Sequence, residues 1–203
     1  MHDQIDKFKE YISQTRIDND QIFLEIPDLE KFEKEKVYNY CPFLKLSLIE
    51  ACAYFGSINI FYFLTSNQYC KKTKECLRYS IIGRNSDIIN ECLKDNEMDI
   101  KCLRDIVRTH NNEMLEYVLE RNIFTYKDFD VEEWVHNKDI YERRKYKAVY
   151  EDVITYQNLN AVFLLFEREK NCIFPWCAAF PQTIDIIKSN KIPDKIDFHG
   201  RNI

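Results

Sequence analysis

One order of polar and apolar positions recurs along the chain: a Ser, Asn or Thr, one intervening residue, then Asp, Glu or Asn, then an apolar run. It reads Ser57-Ile58-Asn59-Ile60-Phe61, Asn85-Ser86-Asp87-Ile88-Ile89 and Asn111-Asn112-Glu113-Met114-Leu115. It returns as Asn137-Lys138-Asp139-Ile140-Tyr141, Asn158-Leu159-Asn160-Ala161-Val162 and Thr183-Ile184-Asp185-Ile186-Ile187. The third positions (59, 87, 113, 139, 160 and 185) are spaced 28, 26, 26, 21 and 25 residues apart. A hydroxyl or amide oxygen at the first position satisfies an orphan N–H at a helix start. A carboxylate at the third, as at Asp87, Glu113, Asp139 and Asp185, lies at the positive end of the helix dipole. Each recurrence therefore predicts the start of a helix.

A second apolar segment precedes each cap. Cys76-Leu77-Arg78 and Cys102-Leu103-Arg104 are its clearest copies, 26 residues apart. The predicted unit is inner helix, tight turn, outer helix and short polar linker, such as Lys94-Asp95-Asn96-Glu97. Such a unit cannot bury its own apolar faces, so neighbours must stack. Before the first full unit, Ile5, Phe8, Tyr11 and Ile12 fall at helical spacing. They predict an outer helix with no inner partner before it, and the chain reads as a segment of a longer array. Pro27 and Pro42 bracket a mixed-charge run that predicts an inserted loop or helix.

The segment Ser47-Leu48-Ile49-Glu50-Ala51-Cys52-Ala53-Tyr54-Phe55-Gly56-Ser57 resembles an ankyrin repeat, with Cys52 and Ala53 at its small paired positions and Gly56 at its turn. Pro175-Trp176-Cys177-Ala178-Ala179 repeats the theme, and Asp197-Phe198-His199-Gly200-Arg201-Asn202 resembles the hairpin that opens a further repeat. Cys76 to Leu93 and Cys102 to Leu119 resemble more closely a degenerate ankyrin region of unknown function, expanded in large protein families of protozoan parasites. The departures are short repeats, no Thr-Pro-Leu-His and almost no hairpin glycine.

The expected fold is all-α, an ankyrin-like solenoid of stacked antiparallel helix pairs with short or vestigial hairpin loops. Residues 1–45 would hold the partial repeat and the insert, and 46–192 six degenerate repeats, at 46–70, 74–96, 100–122, 126–144, 147–170 and 172–192. Residues 193–203 would begin another.

Composition narrows the chemistry. Only three glycines occur in 203 residues, at 56, 83 and 200. Phosphate-cradling loops and nucleophile elbows need clustered glycine, so most nucleotide enzymes are excluded. A formal charge of −5 argues against a general nucleic-acid or anionic-membrane binder. No apolar stretch is long enough for a membrane helix, and Met1-His2-Asp3-Gln4 lacks the layout of a signal peptide. The eight cysteines contain no CxxC pair and no structural-zinc spacing, so they read as small buried thiols in a reducing compartment. That places the protein in the cytoplasm, with the nucleus as the alternative.

His110 and His136 each immediately precede a cap Asn, 26 residues apart, which predicts a turn role rather than a catalytic one. Trp134 and Trp176 fall on inner helices and read as core. The cluster Arg143-Arg144-Lys145-Tyr146-Lys147 reads as a solvated linker.

The resemblance implies a non-catalytic module that grips a protein partner on a concave face. In ankyrin repeats the two residues before the turn glycine commonly face that partner. Carried over, these are Tyr54 and Phe55, Ile82 and Gly83, Arg108 and Thr109, Thr155 and Tyr156, and Phe180 and Pro181. The candidate partner-binding residues are Tyr54, Phe55, Arg108, Thr109, Thr155, Tyr156 and Phe180, with Tyr54, Arg108 and Tyr156 foremost. The bland alternative is that Phe55 and Phe180 pack between repeats. No cofactor, metal, nucleic acid or membrane is implied, and a monomer is expected. The other readings are the substrate-holding part of a ubiquitin-ligase-type adaptor and a cysteine-dependent enzyme or redox sensor.

Overall fold

The structure, a computed structural model, describes residues 4–14, 23–25, 45–129, 149–169, 176 and 179–189. The described residues are mostly helical, with one short pair of strands. The chain divides into two compact units, Met1–Asp105 and Ile106–Ile203.

The first unit holds α1 (Ile5–Gln14), β1 (Phe23–Glu25), β2 (Lys45–Ser47), α2 (Leu48–Phe55), α3 (Ile58–Ser66), α4 (Lys74–Ile82), α5 (Ser86–Cys92) and most of α6 (Ile100–Arg108). The strands are antiparallel, pairing Phe23 with Ser47 and Glu25 with Lys45. This pair, which the helical pattern gives no sign of, leads straight into α2. There the Glu50 carboxylate accepts the Ser47 N–H at 2.9 Å. Helix α2 packs on α3 and α4, α4 on α5, and α3 on α1 and α5. The unit therefore has α2 and α4 on one side and α1, α3 and α5 on the other. Small residues Ala51, Cys52 and Ala53 are buried on α2, so its backbone can approach α4 closely. Leu77, Ile81, Phe61, Leu64 and Ile88 fill the space between the layers, each almost fully buried. Burying each such side chain contributes roughly 1.5–3 kcal/mol.

In the second unit α7 (Asn112–Glu120) is followed by a 3-10 turn, Tyr126–Phe129. Helical residues 149–155 form α8. After them come α9 (Leu159–Arg168), a 3-10 turn Pro181–Thr183 and α10 (Ile184–Ser189). Helix α7 packs directly on α9. The core comprises Ile106, Val107, Leu115, Val118, Val153, Val162, Leu165 and Trp176. Trp176 stacks on Tyr150 with ring centroids 4.5 Å apart.

One turn design joins inner to outer helix four times. Gly56, Arg84, His110 and Gln157 each take left-handed backbone, with φ of 68°, 55°, 53° and 53°. The next residue's N–H reaches back five positions: Ser57 to Cys52, Asn85 to Ser80, Asn111 to Ile106 and Asn158 to Val153, each at 3.0 Å. This is the Schellman closure, which satisfies carbonyls left open at a helix end. The same residue then opens the outer helix. Asn85 Oδ1 accepts the Ile88 N–H at 3.0 Å, Asn111 Oδ1 that of Met114 at 3.3 Å, and Asn158 Oδ1 that of Ala161 at 3.1 Å. Ser57 occupies the position without a side-chain cap. Thr183 departs from the expectation: its hydroxyl donates back to the Phe180 carbonyl at 2.7 Å.

Residues 67–73 connect α3 to α4, and residues 93–99 connect α5 to α6. Between α7 and the first described residue of α8 lie residues 121–148. The expected repeat at 126–144 falls in that span, and 130–144 lie outside the described residues. So do 172–175, 177–178 and 190–192 of the expected repeat at 172–192, all of 193–203, and the run between Pro27 and Pro42.

Candidate functional site

The candidate residues stand where inner helices end. In the first unit Tyr54 and Phe55 close α2, their rings edge-to-face at 5.0 Å. Phe55 is 40% exposed and Tyr54 is half-buried. Gly83 meets the backbone just beneath them: a Cβ there would sit 2.1 Å from the Tyr54 carbonyl oxygen. Gly83 is thus required by close approach of the two helix ends, and Arg84 rather than Gly83 takes the left-handed place.

In the second unit the ends of α6 and α8 are tied together. Arg108 Nε lies 2.9 Å from Asp152 Oδ2, with side chains only 10% and 8% exposed. The Arg108 guanidinium also lies over the Tyr156 ring, 5.8 Å from its centroid. His110 Nε2 lies 2.7 Å from the Tyr156 carbonyl oxygen. A carbonyl can only accept, so Nε2 carries the hydrogen. Asn158 Nδ2 donates to the Val107 carbonyl at 2.9 Å, fully buried. One asparagine therefore caps α9 with its oxygen and bridges to α6 with its nitrogen.

Of the candidate residues, Phe55 and Thr155 are exposed, and Tyr54, Thr109 and Tyr156 are half-buried. Arg108 is mostly enclosed, and its charge faces Asp152. Phe180 is 2% exposed, so it packs rather than presents a surface. Sequence reasoning passed over Asp105 and Asp152, both buried carboxylates. Their signal is positional: each stands five residues before a left-handed turn residue, His110 or Gln157.

The thiols have a simple electrostatic state. Cys76, Cys92 and Cys102 are buried and Cys70 is half-buried. Burial, the largest cause in each case, pushes all four up, Cys92 and Cys102 to about 12. A thiolate is the nucleophile and metal ligand, so raising these thiols disfavours the reactive form at neutral pH. Among the described residues no group of His, Cys, Asp and Glu is arranged to hold a metal. His2, His136, His199 and the basic cluster at 143–147 lie outside them.

At the surface of the first unit, Lys72 Nζ lies 3.1 Å from Glu91 Oε1 and 2.5 Å from Asp95 Oδ2. Lys94 reaches Glu91 at 2.6 Å. The two lysines hold the Glu91 carboxyl below its ordinary range. No helix among the described residues is long and apolar enough to cross a membrane.

Residues 67–165 match the model of a domain of unknown function (DUF3447). The match begins just after α3 and takes in the turns at Arg84, His110 and Gln157. No curated protein and no solved structure matches the chain significantly.

Proposed function

We propose that the chain is a non-catalytic protein-interaction module built from degenerate ankyrin-like helix pairs that stack within each unit. The observation that carries this reading is the recurrence of one turn, closed by the same backbone bond at Ser57, Asn85, Asn111 and Asn158. A repeated turn places corresponding side chains at corresponding points beside it, and repeat proteins bind along such rows. The presenting residues are Tyr54 and Phe55 in the first unit, and Thr109, Thr155 and Tyr156 in the second. In the second unit the edge is held before any partner arrives, because His110 fixes the Tyr156 carbonyl and Arg108 backs its ring. A pre-ordered edge loses little freedom on binding. Aromatics such as the exposed Phe55 and the half-buried Tyr156 suit binding hot spots. The partner is a protein, and the chain itself acts as a monomer in the cytoplasm or nucleus.

The experiment is quantitative affinity capture with the wild-type chain and two variants, Phe55→Ala and Thr155→Arg, each first shown to keep wild-type helicity and unfolding midpoint. The reading expects partners enriched by the wild type and lost by at least one variant. A capture profile identical across all three would refute the edge. The buried Cys76, Cys92 and Cys102 weigh against a thiol-dependent reaction as the alternative.

A further inference from the structure

Among the described residues each unit contains a buried ion pair between inner helices, and that of the second unit also backs the proposed edge. In the first, Arg78 on α4 places Nε 2.7 Å from Asp105 Oδ2 and Nη1 2.6 Å from Glu75 Oε2. The Asp105 side chain is 0% exposed and that of Arg78 8%. In the second, Arg108 faces Asp152 at 2.9 Å.

Counting back from the left-handed turn residue aligns the inner helices. Five positions before Gly56, Arg84, His110 and Gln157 stand Ala51, Tyr79, Asp105 and Asp152, all buried. The two carboxylates thus occupy one equivalent place. Their arginines do not: Arg78 stands six residues before its own turn residue, Arg84, and Arg108 two before His110.

Burying a charge is costly, and an apolar pair of similar volume is often as stable or more so. A pair kept despite that cost invites another explanation. We propose that Arg78–Asp105 and Arg108–Asp152 are register keys, fixing which inner helix packs beside which. Helix pairs sharing one turn design and apolar faces are open to misordered stacking and to exchange between copies, the characteristic failures of repeat proteins. If α6 packed against the wrong neighbour, Asp105 would lie buried without its arginine. Because the two arginines reach from different positions, neither can serve the other's carboxylate in the same geometry.

The test uses the full chain, with both members of a pair replaced by apolar residues: Arg78→Met with Asp105→Leu, and Arg108→Met with Asp152→Leu. A key predicts wild-type helicity and an unfolding midpoint at or above wild type. It also predicts extra sets of amide resonances, or a dimer fraction by light scattering that the wild type lacks at equal concentration. A variant that is monomeric with a single set of resonances overturns the proposal, and so does one that fails to fold, since the pair then supports stability directly. The charge-exchanged variant Arg78→Asp with Asp105→Arg is a second arm. It should regain the single resonance set that Asp105→Arg alone loses, and no recovery counts against the key.

Discussion

At the residue scale, two backbone positions carry opposite predictions. A methyl group at position 83 would meet the Tyr54 carbonyl oxygen at 2.1 Å and the Ala53 oxygen at 3.2 Å. Both obstacles are backbone, so no rotamer change relieves them. Gly83→Ala should destabilise the chain by about 1–3 kcal/mol or more, the usual range for an overpacked site, as read from the urea midpoint. Gln68 is the reverse case. It is exposed, holds φ of 58° at the end of α3, and its N–H bonds the Thr65 carbonyl at 3.2 Å. Left-handed backbone costs an L-residue roughly 1–2 kcal/mol, and glycine returns part of that as entropy of the unfolded chain. Gln68→Gly should therefore raise stability by about 0.5–1 kcal/mol; a lowered midpoint in the same urea titration would show that its side chain has a use.

At the scale of the element, the cap asparagines separate two roles. Asn85 serves as a cap, whereas Asn158 both caps α9 and donates to Val107 from a fully buried position. Asn85→Ala should cost about 0.5–2 kcal/mol, as cap losses do. Asn158→Ala should cost more, by about the 1–3 kcal/mol of a buried group left unpaired. Equal costs in parallel denaturation curves would mean that the Val107 bridge contributes nothing. These elements also show what the sequence revealed. Helix starts at Asn85, Asn111 and Asn158 were legible because capping is local, decided within four residues. So was Gly56 as a turn. His110 was legible as a turn residue from its place before a cap Asn, whereas Arg84 and Gln157 were not singled out, because their side chains do not advertise the left-handed backbone they adopt. Thr183 misled because its hydroxyl found a carbonyl three residues back, a competition typical of that side chain. The strand pair escaped notice for a related reason: three-residue strands have too few positions to show an alternation. Arg108 is the instructive case at the candidate site. Position alone marked it as presenting, whereas its charge is met by Asp152, 44 positions along the chain. Spacing cannot disclose that pairing.

For the whole molecule, the thiols give a pH dependence with a definite sign. Cys92 and Cys102 hold their protons up to about 12 in the folded chain, against about 8.5 when exposed. A raised folded value contributes stability that is complete below the unfolded value and lost as pH rises through the folded one. Stability should be insensitive to these groups at neutral pH and should decline between about pH 8.5 and 12. Replacing both with Ala should shallow that decline. In native protein at pH 7.5, iodoacetamide with peptide-level mass spectrometry should leave Cys76, Cys92 and Cys102 unmodified until denaturant is added. Rapid modification of any one would return the thiol chemistry to consideration. The separation of paired residues along the chain bears on how it finds its structure. The Arg78–Asp105 contact closes 27 residues of chain, whereas His110–Tyr156 closes 46. Loop closure alone makes the second dearer by only about 0.5 kcal/mol, yet that is a bias in time as well as in free energy. Helix pairs of Met1–Asp105 should acquire protection first when refolding is followed by pulsed hydrogen exchange, and α9 should lock onto α7 afterwards. The slowest event in assembly would then be the meeting of segments that stand farther apart along the chain.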